Sequence, residues 1–254
     1  MDVSQLGLLS AAGLLGGAVN SLAGGGSLIT FPALVAIGVP PLTANVSNSV
    51  AVCPGYLAAV VGSRADLAGR GRELLALLPV TVLGTGVGAA ILLLTPAAAF
   101  EAIVPFLVIA AAVILAFQQR VRRWVGHPAT MSTRRRHVLV STMVGLGSVY
   151  GGYFGAALGV MLVAGLAVVL PESLARVSAL KNAISAGVGV TTVAIYALFA
   201  PVNWTAVAAV GITAMIGGYL GARLAVRLPQ AVLRLFIVMF GLLIGAYLLA
   251  RNIA

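Results

Sequence analysis

The chain has 254 residues, of which 61% are hydrophobic and only 8% are charged. A soluble domain carries roughly 25% charged residues, so this composition excludes an ordinary soluble protein and predicts an all-α polytopic membrane protein. The net charge of +10 does not indicate nucleic-acid binding. The arginines that cluster in 118–137 lie between apolar runs, as expected for an inner loop of a membrane protein.

The first half of the chain begins with a region that is too long for one ordinary span. This region, 5–39, is interrupted by three consecutive glycines at 24–26, and it predicts a helical hairpin whose two pieces meet there. Apolar runs then predict three transmembrane helices over 45–63, 73–94 and 101–117. Residues 1–117 are therefore interpreted as a first transmembrane repeat.

The second half repeats this order after a basic linker at 118–137, which contains six of the chain's arginines. A second glycine-broken region, 138–170, precedes helices predicted over 178–198, 204–226 and 231–250. The motifs Gly84-x-x-x-Gly88 and Gly217-x-x-x-Gly221 share an offset of 133 residues. Residues 138–254 thus form a second repeat, and interrupted segments at matching places predict a transporter with its site at the repeat interface.

The basic residues decide between two topologies. If each broken region crossed the membrane once, ten of the fifteen Lys and Arg residues would lie inside. If each is a hairpin, the two halves are inverted, both termini lie outside, and fourteen of the fifteen lie inside. The positive-inside rule selects the second topology. Whether the hairpins cross fully or turn back within the membrane stays open.

The glycine breaks are where the sequence predicts an anion site. A helix that begins inside the membrane directs unpaired N–H groups and a partial positive charge at the space before it. Ser27 is a suitable N-cap after the first break, and Gly155 marks the opposing break. Polar residues at helical spacing share faces of the neighbouring helices, where they point to the bundle interior. The candidate substrate-binding residues are Gly24, Gly25, Gly26, Ser27, Asn45, Asn48, Ser49, Gly155, Ser178, Lys181 and Asn182.

Structural roles compete with this interpretation. The glycines are also suited to close helix packing, and the serines and asparagines to hydrogen bonds between helices. Lys181 is also placed to extend along the apolar surface toward the interface.

Residue types that are absent exclude other functions. The five acidic residues all fall at helix ends or in loops and none lies in the middle of a predicted span, which disfavours a cation exchanger or a proton relay. The sequence has no metal-ligand cluster, P-loop or HExxH motif, so neither an enzyme nor a bound cofactor or metal is expected. The single Cys53 excludes an internal disulfide.

Two groups of motifs resemble the TauE/SafE sulfite exporter family. They are Gly24-Gly25-Gly26-Ser27-Leu28-Ile29, Phe31-Pro32-Ala33-Leu34, Ala44-Asn45 and Cys53-Pro54-Gly55 in the first repeat, and Val202-Asn203-Trp204 with Gly217-Gly218-Tyr219-Leu220-Gly221-Ala222-Arg223 in the second. The resemblance covers nearly the whole chain. It implies a secondary transporter that exports sulfite, sulfonates or related organic anions across the cytoplasmic (inner) membrane, by alternating access and with the lipid bilayer and the anion as partners. A passive anion channel is the alternative, and a homodimer is left open.

Overall fold

The computed structural model describes residues 1–22, 24–124, 132–224 and 230–253. These residues form ten helices, which confirms the all-α prediction. They are α1 (Val3–Leu22), α2 (Ser27–Ala36), α3 (Pro41–Gly62), α4 (Gly71–Leu94), α5 (Ala97–Trp124), α6 (Thr133–Tyr153), α7 (Leu158–Val169), α8 (Leu174–Phe199), α9 (Trp204–Leu224) and α10 (Gln230–Ile253).

Six of these helices are long and apolar enough to cross a membrane: α1, α3, α4, α5, α8 and α9. By contrast, α2 has 10 residues and α7 has 12. At 1.5 Å per residue they extend about 15 and about 18 Å, well short of a hydrocarbon core of about 30 Å. Each hairpin therefore pairs one longer helix with one helix that is too short to cross the hydrocarbon core by itself.

Helix boundaries extend beyond the apolar runs that predicted them. Helix α3 begins at Pro41 and α8 at Leu174, each about one turn before its predicted start. Proline suits the first helical position of α3, and the Ser173 side chain caps α8 by accepting from the Arg176 N–H. Helices α5 and α6 likewise continue into the 118–137 range predicted as a linker. Residues 125–131 of that linker lie outside the described residues.

The packing of the first half is repeated in the second half. Helix α1 packs along α9 as α6 packs along α4, and α3 packs along α9 as α8 packs along α4. The glycine pairs lie at these contacts. A Cβ added to Gly88 would overlap the carbonyl of Val149 on α6, and a Cβ added to Gly217 would overlap the carbonyl of Leu14 on α1. The first helix of each half thus packs against a helix of the other half. The inverted orientation of the halves stays a prediction.

Aromatic side chains join the two hairpins in the centre of the bundle. Phe31 of α2 packs edge-on against Phe154 in the second break, with ring centroids 5.4 Å apart. Phe100 of α5 lies 6.0 Å from the Tyr153 ring. Phe31, Phe100 and Phe154 are all at most 1% exposed. This cluster fixes the short helix of the first hairpin against the break of the second.

Candidate functional site

The first break separates Leu22 at the end of α1 from Ser27 at the start of α2. Gly24 adopts φ +83°, a left-handed conformation that favours glycine. Gly26 is the N-cap, so the prediction of Ser27 as N-cap was wrong by one position. A side chain from α1 replaces the local cap: Asn20 Oδ1 accepts from the Gly26 N–H at 2.7 Å.

Two backbone donors remain at this break. The N–H groups of Gly25 and Ser27 have no acceptor among the described residues, whereas those of Leu28 and Ile29 bond to the carbonyls of Gly25 and Gly26. Free donors in the first turn are expected of a helix start. Here they are buried, because Gly25 and Ser27 lie inside the protein.

The second break separates Tyr153 at the end of α6 from Leu158 at the start of α7. Gly155 has φ +73° and Ala157 has φ +59°. A left-handed alanine costs about 1–2 kcal/mol, so the surroundings must hold it, and the Tyr150 hydroxyl donates to the Ala156 carbonyl at 2.6 Å. The helix start that was predicted near Gly155 is confirmed.

The two breaks touch each other. Gly159 in the first turn of α7 packs on Gly24, and a Cβ added to Gly159 would lie 2.5 Å from the Gly24 Cα. Such a distance is too short for any real side chain, so the contact requires glycine on both sides.

A small cavity of about 20 Å³ lies between the breaks. Its lining includes Ser27 of the first break, Gly155 of the second, and Asn48 and Ser49 of α3. The structure therefore brings together four of the predicted site residues from both halves. This volume is enough for about one water molecule. No charged side chain lines it among the described residues.

Sequence reasoning missed two polar residues of the cavity, Tyr56 of α3 and Thr192 of α8. Thr192 lies on the α8 face that carries Lys181, about three turns further along, and extending that polar face would have identified it. Tyr56 follows Asn48 and Ser49 by about two turns on α3, but an interfacial tyrosine has the same appearance in a sequence.

Hydrogen bonds connect the lining of the cavity to its surroundings. Thr30 of α2 donates to Asn48 Oδ1, and the Ser49 hydroxyl donates to the Asn45 carbonyl at 3.0 Å. Asn45 lies beside the cavity rather than on it: its Nδ2 donates to the Tyr153 carbonyl at 2.9 Å. Asn45 thereby ties α3 to the end of α6.

Lys181 is fully buried and does not reach the lipid interface. Its ammonium donates to the carbonyl oxygens of Asn20 at 2.6 Å and Ser21 at 3.4 Å. These carbonyls belong to the last turn of α1, which has no intrahelical donors and carries partial negative charge. Lys181 therefore caps α1 from the second half and does not line the cavity.

The remaining predicted residues of α8 also lie away from the cavity. Asn182 is buried and donates to the Ser63 hydroxyl at 3.4 Å, just after the end of α3. Ser178 is half-buried. This face of α8 points into the bundle, as expected of polar residues in a membrane span, but it contacts the ends of other helices.

Comparison with known proteins gives a consistent result over the whole chain. The family model described as sulfite exporter TauE/SafE matches residues 9–248. The chain is 28% identical over 255 residues to the probable membrane transporter protein YfcA of Escherichia coli K12, covering 96% of this chain and 89% of that protein. It is 26% identical over 249 residues to the probable membrane transporter protein ORF9 of a Sinorhizobium species, covering 96% and 92%. A probable membrane transporter protein of Haemophilus influenzae is 25% identical over 228 residues, covering 90% and 86%. With its apolar helices, this protein is a multi-pass membrane transporter, and it belongs to the sulfite exporter TauE/SafE family.

Proposed function

We propose that the protein is a secondary transporter that exports small anions such as sulfite, sulfonates or related organic anions across the inner membrane. The observation that carries this proposal is the cavity between two helix breaks contributed by opposite halves of the chain. The description of the family as sulfite exporters supports the substrate class.

The polarity of the cavity favours an anion. Its lining offers the hydroxyls of Ser27, Ser49 and Thr192, and the break before α2 adds the N–H groups of Gly25 and Ser27, which have no acceptor among the described residues. The positive end of the α2 dipole is directed at the same space. Such donors bind anions at helix starts, and the lining residues include no carboxylate to oppose them.

Lys181 acts on this site through the helix ends. The first break places the negative end of α1 next to the positive end of α2, and the two would largely cancel for an anion in the cavity. The Lys181 ammonium neutralises the α1 carbonyls at 2.6 and 3.4 Å, so the α2 end dominates. Lys181 is thus a positioning residue rather than a direct ligand.

The size and the boundaries of the cavity support alternating access. A space of about 20 Å³ holds about one water, which is too little for an ion with several heavy atoms. The breaks must therefore separate slightly to admit a substrate. The direct contact of Gly24 with Gly159 is where one half moves against the other, in keeping with rocking of repeats about a central site.

Reconstituted protein with radiolabelled sulfite tests the proposal. A carrier shows saturable uptake that is accelerated by unlabelled sulfite on the opposite side of the membrane. Sulfate, short alkyl sulfonates and carboxylates serve as competitors to define the substrate class. Conductance without saturation or counterflow indicates the channel instead, and failure of every anion to compete rejects an anion transporter.

A pair of adjacent threonines tests the location of the site. Thr192 lines the cavity, whereas Thr191 does not; both hydroxyls donate to carbonyls of their own helix at 2.9 Å. A hydroxyl rotates readily toward a bound anion, and a hydrogen bond to a charged group contributes about 1.5–3 kcal/mol. Thr192→Val should therefore weaken apparent sulfite affinity at least about tenfold, while Thr191→Val should behave as the unmodified protein. Equal effects of the two variants contradict the assignment.

A further inference from the structure

A second, larger cavity lies at the end of the bundle where α4 and α6 begin. It encloses about 410 Å³, compared with about 20 Å³ between the breaks. Its lining comes from the first turns of α4, from the first turns of α6, and from the Leu170–Glu172 connection between α7 and α8. The proposed transport function does not use this cavity.

The charges in the lining are partly neutralised within the protein. Glu73 and Glu172 both line the cavity, and both pair with Arg70, whose side chain is 6% exposed. Arg72 and Arg136 also line it, and neither forms an ion pair in the described part of the chain. Three arginines and two glutamates are therefore grouped here, which leaves an excess of positive charge. The two arginines that line the cavity are the ones outside the ion pairs of Arg70.

The wall becomes apolar one turn further into the bundle. Ala76 follows Arg72 on α4, and Val140 follows Arg136 on α6, each four residues later and on the same face. Leu77 and Leu170 complete this apolar part. On the other side of Leu77 an apolar groove of about 220 Å³ runs between α4 and α8, with Leu75 and Leu78 exposed toward the surroundings.

The cavity lies at the start of two candidate membrane spans. The candidate spans of α4 and α8 begin at Gly71 and Leu174, so Arg72 lies in the first turn of a span and Ala76 one turn further in, with Arg136 and Val140 lining the same cavity. A ligand that fits must present negative charge at its outer end and hydrocarbon at its inner end. A free inorganic anion would make no favourable contact with the apolar part of the wall.

We propose that this cavity binds the phosphate of an anionic phospholipid, held between Arg72 and Arg136, with an acyl chain along the apolar wall. Guanidinium groups bind phosphate oxygens in a bidentate fashion, and Ser141 adds a hydroxyl to the lining. Because α4 belongs to the first half and α6 to the second, the bound lipid bridges the two halves at this end.

Binding of phosphatidylglycerol to the purified protein in detergent tests this proposal without any transport assay. Native mass spectrometry should show retention of phosphatidylglycerol over phosphatidylcholine. Each basic residue near an anionic lipid contributes about a fivefold gain in affinity, so Arg72→Gln/Arg136→Gln should bind about 25-fold more weakly. A matched control is Arg64→Gln/Arg176→Gln, which removes the same charge from two exposed arginines predicted at the same end; it should retain the affinity.

Several outcomes overturn the proposal. Equal losses in the two double variants show attraction by net charge alone. Equal retention of phosphatidylcholine shows that negative charge is not recognised, and competition by millimolar inorganic phosphate shows a site for free oxyanions instead. If the first double variant fails to fold, Arg72→Lys/Arg136→Lys replaces it, since loss of bidentate contacts at constant charge should still weaken binding severalfold.

Discussion

Replacing Gly24 with alanine isolates the contact between the two breaks, because the chain contains a matched control. Gly24 and Gly69 both have φ +83°. A Cβ on Gly24 would overlap the backbone of Gly159 and Val160, whereas a Cβ on Gly69 has nothing within 4 Å. The two alanine variants therefore share the conformational cost and differ only in the clash.

The expected magnitudes follow from these two terms. A left-handed alanine costs about 1–2 kcal/mol, which is the whole expected effect of Gly69→Ala. Overpacking of a close backbone contact costs a further 1–3 kcal/mol or so. Gly24→Ala should thus lower the free energy of unfolding by about 2–5 kcal/mol. Gly159→Ala, which adds a Cβ 2.5 Å from the Gly24 Cα without a positive φ, should show the clash alone.

Thermal unfolding in detergent measures the difference. For a chain of this size each kcal/mol lowers the midpoint by about 2–4 °C, so Gly24→Ala should unfold at least about 2 °C below Gly69→Ala. Sulfite counterflow should fall sharply in Gly24→Ala and remain in Gly69→Ala. Equal midpoints and equal fluxes for the two variants would refute the argument that the breaks touch and move against each other.

Three further predictions concern other residues. Lys181→Met removes the donor to the α1 carbonyls and should weaken apparent sulfite affinity about tenfold or more. Because the side chain is fully buried, Lys181→Arg should destabilise the protein rather than restore its affinity. Unchanged kinetics in the Met variant contradict the positioning role. Tyr56→Phe removes a hydroxyl that lines the cavity and lies within hydrogen-bonding reach of the Ser27 side chain. It should raise the KM for sulfite and lower the thermal midpoint by no more than about 2–4 °C; a lower midpoint with an unchanged KM indicates a purely structural role. In a Cys53→Ala background, single cysteines in 126–133 should resist an impermeant thiol reagent in intact cells, and ready labelling disproves the inward position of this loop.

Much of the fold could be predicted because local patterns determine it. The glycine runs at 24–26 and near Gly155 indicated where helices break, since glycine both weakens a helix and permits positive φ. The repeated Gly-x-x-x-Gly pairs indicated where helices approach closely. Both features are confirmed by the positions of α2, α7, Gly88 and Gly217.

The site was predictable only in part because long-range contacts determine which polar residues meet. Asn48, Ser49, Ser27 and Gly155 were predicted and share one cavity. Lys181 was on the right face of α8, but nothing local indicates that its ammonium ends at carbonyl groups 160 and 161 residues earlier in the chain. Similarly, the Asn20 side chain caps a helix that begins only after the glycines, which residue type alone does not reveal.

The exchange of first helices between the halves has a consequence for biogenesis. Helix α1 is synthesised before the other described helices, yet its principal partner α9 is synthesised only after residue 203. Until then the glycine face that receives α1 does not exist, and until Lys181 is synthesised the carbonyls of Asn20 and Ser21 lack the ammonium that donates to them. Insertion must therefore hold a partly folded chain in the bilayer, where unsatisfied backbone groups are costly. A truncated first half should consequently be degraded in cells rather than accumulate as an independent unit, and co-expression of the two halves should restore it.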